Sequence, residues 1–127
     1  MNQFTLLFAA IFGMTAIILG AFGAHALKKI LNDDQLKKFE TGVKYQMYHA
    51  IVLLILGLHL PFNEPIQTYI IYSFIIGILL FSFSIYGLVI SSAKNKKLRF
   101  LGPITPLGGL LLTFGWGLLL YFVTTSF

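Results

Sequence analysis

IQTYIIYSFIIGILLFSFSIYGLVI, Ile66 to Ile90, runs without a single charged side chain. A helix needs ~20 consecutive apolar residues to cross a bilayer core of ~30 Å, and this stretch is long enough. Three further apolar segments accompany it, Phe4 to Ala24, Tyr48 to Leu60 and about Ile104 to Tyr121. The cations are pushed elsewhere: all nine Lys and Arg residues fall between Lys28 and Lys44 or between Lys94 and Arg99. The pattern predicts an all-α membrane protein, a four-transmembrane-helix up-and-down bundle. It reads as one integral domain over 1–127, with spans at about 4–24, 45–60, 66–92 and 103–123.

Composition supports the same class. The chain has 127 residues, is 57% hydrophobic and 10% charged, and has a mean hydropathy of +0.87. A water-soluble domain of this size has too much surface for its volume to hide that much apolar material. In lipid the problem disappears, provided each segment pairs its own backbone groups, as a helix does. The formal charge of +5 flanks the spans. It therefore speaks for topology and for anionic headgroups at Lys28, Lys29, Lys94, Lys96, Lys97 and Arg99, not for nucleic acid. With no Cys, disulfides and thiolate metal sites are excluded. Ala24-His25-Ala26 imitates a signal-peptide cleavage site. Met1-Asn2-Gln3 carries no positive charge, however, and the apolar run exceeds an h-region of ~7–15 residues, so a retained span is expected.

Basic loops prefer the cytoplasm. Four spans put both basic loops on one face, which predicts a multi-pass protein of the cytoplasmic (inner or plasma) membrane with both termini outside. Asn32, Asp33 and Asp34 offer N-cap chemistry before Leu36, Phe39, Val43 and Met47 at helical spacing. The stretch from Asp34 to Met47 either lies at the interface or extends the second helix into the cytoplasm. Asp33, Asp34 and Glu40 are expected to form local ion pairs with Lys37, Lys38 and Lys44. Tyr45 and Tyr48 at one boundary, and Tyr69, Tyr72 and Tyr121 at the other, suit interfacial aromatic belts.

Membrane helices associate through close approach at small residues rather than through hydrophobicity. Ala9, Gly13, Ala16, Gly20 and Gly23 recur at helical spacing on one face of the first span. Ser73, Gly77, Ser84 and Ser91 form a looser stripe on the third. On the fourth, Pro106, Gly109, Thr113 and Trp116 share a face, with Gly108 and Gly115 beside it. Gly108 and Gly109 are expected to meet the Gly20–Gly23 end of span one. Such seams predict a tight bundle that can form a homo-oligomer or join a partner membrane protein.

Four clusters carry what polar chemistry there is: GAFGAHAL (Gly20 to Leu27), YQMYH (Tyr45 to His49), FSFSIY (Phe81 to Tyr86) and GPITPLGG (Gly102 to Gly109). Connectivity alone brings all four to the half of the membrane beside the basic loops. The candidate polar or ligand cluster is His25, Tyr45, Gln46, His49, Ser82, Ser84 and Thr105. Gly42, Gln46 and His49 share one helical face, and the first hairpin is expected to bring His25 and His49 together. Ionisable residues at membrane depth are costly and often functional. The leading reading is that both histidines are satisfied by backbone carbonyls, Gln46 or headgroups. A small-molecule or quinone-type pocket comes second. A metal or haem site comes third, because two histidines without carboxylates or thiols make a thin ligand set. Neither metal nor cofactor is expected. Ser82 and Ser84 can bond their own backbone or a neighbouring helix, and the indole N–H of Trp116, deep in span four, requires a partner. No phosphate-binding loop, nucleophile elbow or intramembrane carboxylate pair is present.

These same clusters resemble the domain-of-unknown-function family 423, a family of small membrane proteins related to animal transmembrane protein 256. The resemblance lies in GAFGAH (Gly20 to His25), YQ-x-x-H (Tyr45 to His49) and TP-x-GG with a later Trp (Thr105 to Gly109, Trp116), and it covers nearly the whole chain. One departure is Phe83, where the family typically has Gly between two serines. It implies that span three sits differently here or that Phe83 faces lipid. The resemblance implies about four spans in an inner or plasma membrane and no established activity.

The functional expectation is a non-enzymatic accessory subunit that binds a partner or lipid. Two alternatives stand beside it. One is a small transporter or channel subunit with a site near His25, Gln46 and His49. The other is a quinone- or haem-linked membrane protein using the histidine pair.

Overall fold

The computed structural model describes every residue from Met1 to Phe127 and is all-helical, with four helices long and apolar enough to cross a membrane. Helix α1 covers Asn2–Leu27, α2 Asp33–His59 and α3 Pro65–Ala93. A 3₁₀ turn at Arg99–Leu101 leads into α4, Ile104–Ser126. Inside α1 the residues Ile18–Gly23 form a π-helical turn between α-helical Asn2–Ile17 and Ala24–Leu27.

The helix ends follow from local chemistry. Asn32 caps α2: its Oδ1 accepts the Gln35 N–H at 2.8 Å, while Gln35 Oε1 accepts the Asn32 N–H at 3.0 Å. This reciprocal capping box satisfies two orphan donors, with Asp33 and Asp34 against the positive end of the dipole. Pro65 opens α3, where a missing N–H costs nothing. The same helix ends in a Schellman turn. Asn95 takes φ 57, its N–H bonds Ser92 O, and the Lys96 N–H reaches back to Ser91 O. Asn is one of the few residues that tolerate this left-handed conformation.

α2 is one continuous helix from Asp33 to His59, so the amphipathic stretch extends the second span instead of turning at the interface. Of the local ion pairs expected there, only Asp34–Lys38 forms, at 3.2 Å with both side chains mostly exposed. Lys37, Lys44, Asp33 and Glu40 stay in solvent, where holding two long side chains together gains little.

Each helix packs on its neighbour in the chain, α1 on α2, α2 on α3 and α3 on α4, with successive helices antiparallel. The main core joins Phe12, Leu53, Ile70, Phe74, Ile78 and Leu112 from all four helices. A smaller one, at the basic end, holds Leu31 of the first loop against Phe39, Tyr86 and Val89. Along α1, Gly13 faces Ala50, Gly20 faces Val43 and Gly23 faces Phe39, all on α2.

Two packing expectations are corrected. Gly108 and Gly109 do not meet Gly20 and Gly23. A Cβ at Gly108 would strike the backbone of Leu80 and Phe81 on α3, and Gly109 lies over the Phe81 ring. The buried face of α4 is Gly108, Leu112, Gly115 and Phe122, leaving Pro106, Thr113 and Trp116 exposed. On an apolar helix adjacent faces differ only in which small residue they carry, and here α3 selects the face through backbone contact. Phe83 is 40% exposed and meets Tyr86 edge-on, so it points outward and leaves α3 free to pack.

Candidate functional site

The polar centre of the bundle is Gln46. It sits on the face of α2 that also carries Gly42 and His49, and all three are buried. Its Nε2 donates to Phe12 O at 2.9 Å and to Thr15 Oγ1 at 2.7 Å, both on α1. Its Oε1 accepts the Tyr86 hydroxyl of α3 at 2.7 Å. One amide therefore joins three helices. One turn away, Gly42 has no side chain where a Cβ would lie 2.8 Å from Tyr86 Cε1. That gap also lets Ser82 Oγ donate to Gly42 O at 2.7 Å.

Ser84 faces the other way along α3. It donates to Phe81 O at 2.9 Å and shares a hydrogen bond with Thr105 Oγ1 at the start of α4. His49 lies deeper. Its Nδ1 is 2.8 Å from Tyr45 O, and its Nε2 accepts the Trp116 Nε1–H at 3.1 Å. One neutral tautomer satisfies both contacts, with the proton on Nδ1 and the lone pair on Nε2. Phe74 packs against both rings. The Nε2 lone pair, which a metal or haem iron would require, is thus already engaged.

His25 does not join this assembly. It is exposed near the end of α1. Gly23 lies against Phe39, and Phe39 and His49 are ten positions apart on α2, roughly 15 Å at the rise of an α-helix. The hairpin register therefore separates the two histidines that the sequence suggested as a pair. Tyr45 is partly exposed, with its ring against Phe81. No group of three or more His, Asp or Glu side chains lies together.

Sequence reasoning missed Tyr86 and Thr15 as partners of Gln46. Tyr86 stands four positions after Ser82 in a segment otherwise suited to lipid, and that spacing was the available signal. Gln67 was also missed. It is buried at the opposite end, where its Nε2 donates to Asn63 Oδ1 at 3.3 Å within the capping box that opens α3. Every buried side-chain N and O has a hydrogen-bond partner. Lys28, Lys29, Lys94, Lys96, Lys97 and Arg99 are all exposed at one end of the bundle.

Comparison with known proteins places this chain among membrane proteins of unassigned activity. The family described as "Protein of unknown function (DUF423)" matches residues 19–109. The chain is 38% identical over 122 residues to the UPF0382 inner membrane protein YgdD of Escherichia coli K12, covering 94% of this chain and 88% of that one. It is 36% identical over 113 residues to the UPF0382 membrane protein C1782.12c of Schizosaccharomyces pombe, covering 88% and 94%. A UPF0382 membrane protein of Staphylococcus epidermidis is 36% identical over 122 residues, covering 96% and 95%. No solved structure matches the chain.

Proposed function

Since this chain belongs to the DUF423 family of membrane proteins, whose activity is unestablished, we propose that it acts by binding rather than by catalysis. On this reading it is an accessory subunit whose basic end engages anionic lipid headgroups or a partner membrane protein. One contrast carries the reading. The polar groups inside the bundle are consumed by one another, while the cations outside it are free except for one exposed pair at Lys38. Groups already paired inside a bundle hold helices together. Free cations beside a span attract anionic surfaces.

The transporter reading uses a site near His25, Gln46 and His49 and the quinone or haem reading the His25–His49 pair, and these residues are separated or already bonded. The positive-inside rule adds an orientation: basic loops in the cytoplasm, both termini outside. The name of the Escherichia coli relative favours the cytoplasmic membrane as the location.

Native mass spectrometry of the chain extracted from its own membrane in mild detergent, with an absorbance spectrum alongside, tests the proposal. A reproducible phospholipid or second-protein mass is expected, with no visible chromophore. A bare chain in every mild detergent, or a bound haem or quinone, overturns it.

A further inference from the structure

Between α2, α3 and the start of α4 the bundle leaves a cleft of about 480 Å³. Its inner wall is apolar, made by Phe81, Ile85 and Leu88 of α3 with Pro106 of α4. Lys38 and Thr41 of α2 form its rim. A second hollow of about 180 Å³ shares Lys38 and Gly102 with the first and brings in Gln35, Ser92 and Lys97. The two hollows adjoin, sharing Lys38, Leu88, Val89 and Gly102 in their walls, the larger mostly apolar and the smaller more polar. Phe81 and Val89, both on the wall of the larger, are eight positions apart on α3, so the apolar part runs roughly 12 Å. It opens at the end of the bundle where two lysines from different elements converge, one on α2 and one on the loop after α3.

We propose that this cleft binds one anionic phospholipid, its phosphate between Lys38 and Lys97 and an acyl chain along Phe81, Ile85 and Leu88. The proposal rests on the binding reading above and names its ligand. Charge and shape select the occupant together. A free phosphate would meet the lysines and leave the apolar wall empty. A neutral lipid would fill the wall and leave two ammonium groups unmatched. A choline headgroup would bring a third cation to the rim. Basic pockets between spans on the cytoplasmic side are a recurring mode of anionic-lipid recognition, and lysine stems lie along apolar surface while their charges reach the headgroup level. The present partner of Lys38 is Asp34 at 3.2 Å, with 65% and 76% of the two side chains exposed. An exposed pair of this kind is weak, and a phosphate can take its place.

The test uses the full chain reconstituted in vesicles of phosphatidylglycerol with phosphatidylcholine in excess, then released into mild detergent for native mass spectrometry. The wild-type chain is expected to retain one phosphatidylglycerol in preference to phosphatidylcholine. Lys38→Gln and Lys97→Gln should each lower retention about fivefold, the size of one lysine–headgroup attraction. Thr41→Trp keeps both lysines and fills the cleft from an exposed helix position, and it should abolish retention. His59→Gln, exposed at the opposite end of the bundle, should leave retention unchanged. Equal retention by all variants overturns the cleft and leaves the binding reading standing. No preference for phosphatidylglycerol in the wild type also overturns the cleft. In that case a phospholipid or second protein co-extracted from native membrane upholds the binding reading, and a bare chain overturns both.

Discussion

Gln46 is fully buried and shows how a single polar side chain can be worth keeping in a membrane. Its amide donates twice to α1 and accepts once from α3. Interhelical hydrogen bonds in membrane proteins contribute about 0.6 kcal/mol on average and at most about 1.7 kcal/mol. Tyr86→Phe is therefore expected to destabilise the bundle by about that much, read from reversible unfolding in mixed micelles. Gln46→Leu should cost more, because it strands the Tyr86 hydroxyl and also removes both bonds to α1. The double variant should cost less than the two singles added, since both remove the same bond. Strict additivity would show that the phenol and the amide do not act together. Gln46 and Trp116 were legible in sequence as polar groups that must find partners. The partners were not, because Tyr86 and His49 lie far along the chain and only the helix register decides who meets whom.

Among the elements, the tightest of the glycine contacts is α4 on α3. Gly108 sits where a Cβ would enter the α3 backbone, which cannot step aside as a flexible side chain would. Gly108→Ala is expected to destabilise the bundle by about 1–3 kcal/mol through overpacking. Gly117→Ala on the same helix, with nothing within 4 Å of the added methyl, should be neutral or slightly stabilising. Comparing the thermal loss of the monodisperse peak for the two variants checks this, and equal behaviour would contradict the packing described. The repeated small residues of α1 are an unambiguous stripe, because the opposite face carries Leu7, Ile11, Met14 and Ile18. On α4 small residues occupy two adjacent faces, and periodicity alone cannot rank them. The N-cap of α2 was legible because capping depends on residues three apart and on little else.

At the scale of the molecule, four helices were readable because length and apolarity alone decide whether a segment spans. Their up-and-down order followed from the short loops as well, but the face each helix turns inward did not, since lipid-facing and helix-facing leucines look the same in sequence. α3 packs between α2 and α4 and is half buried inside the protein, 50% along its most apolar window, against 17% for α1 and 22% for α4. The proposed orientation can be mapped cleanly because the chain contains no Cys. Asn63→Cys and Thr125→Cys are expected to react with an impermeant reagent on intact cells, and Lys96→Cys only after permeabilisation. The reverse pattern would invert the orientation. The order of the helices along the chain also bears on how the protein is made. A ribosome delivers α1 and α2 first, so Gln46 can already hold Phe12 and Thr15 while the chain that carries Tyr86 is still being translated. The oxygen of that amide then waits inside the bilayer for a phenol forty residues downstream, and the last bond of the triad closes only when α3 arrives.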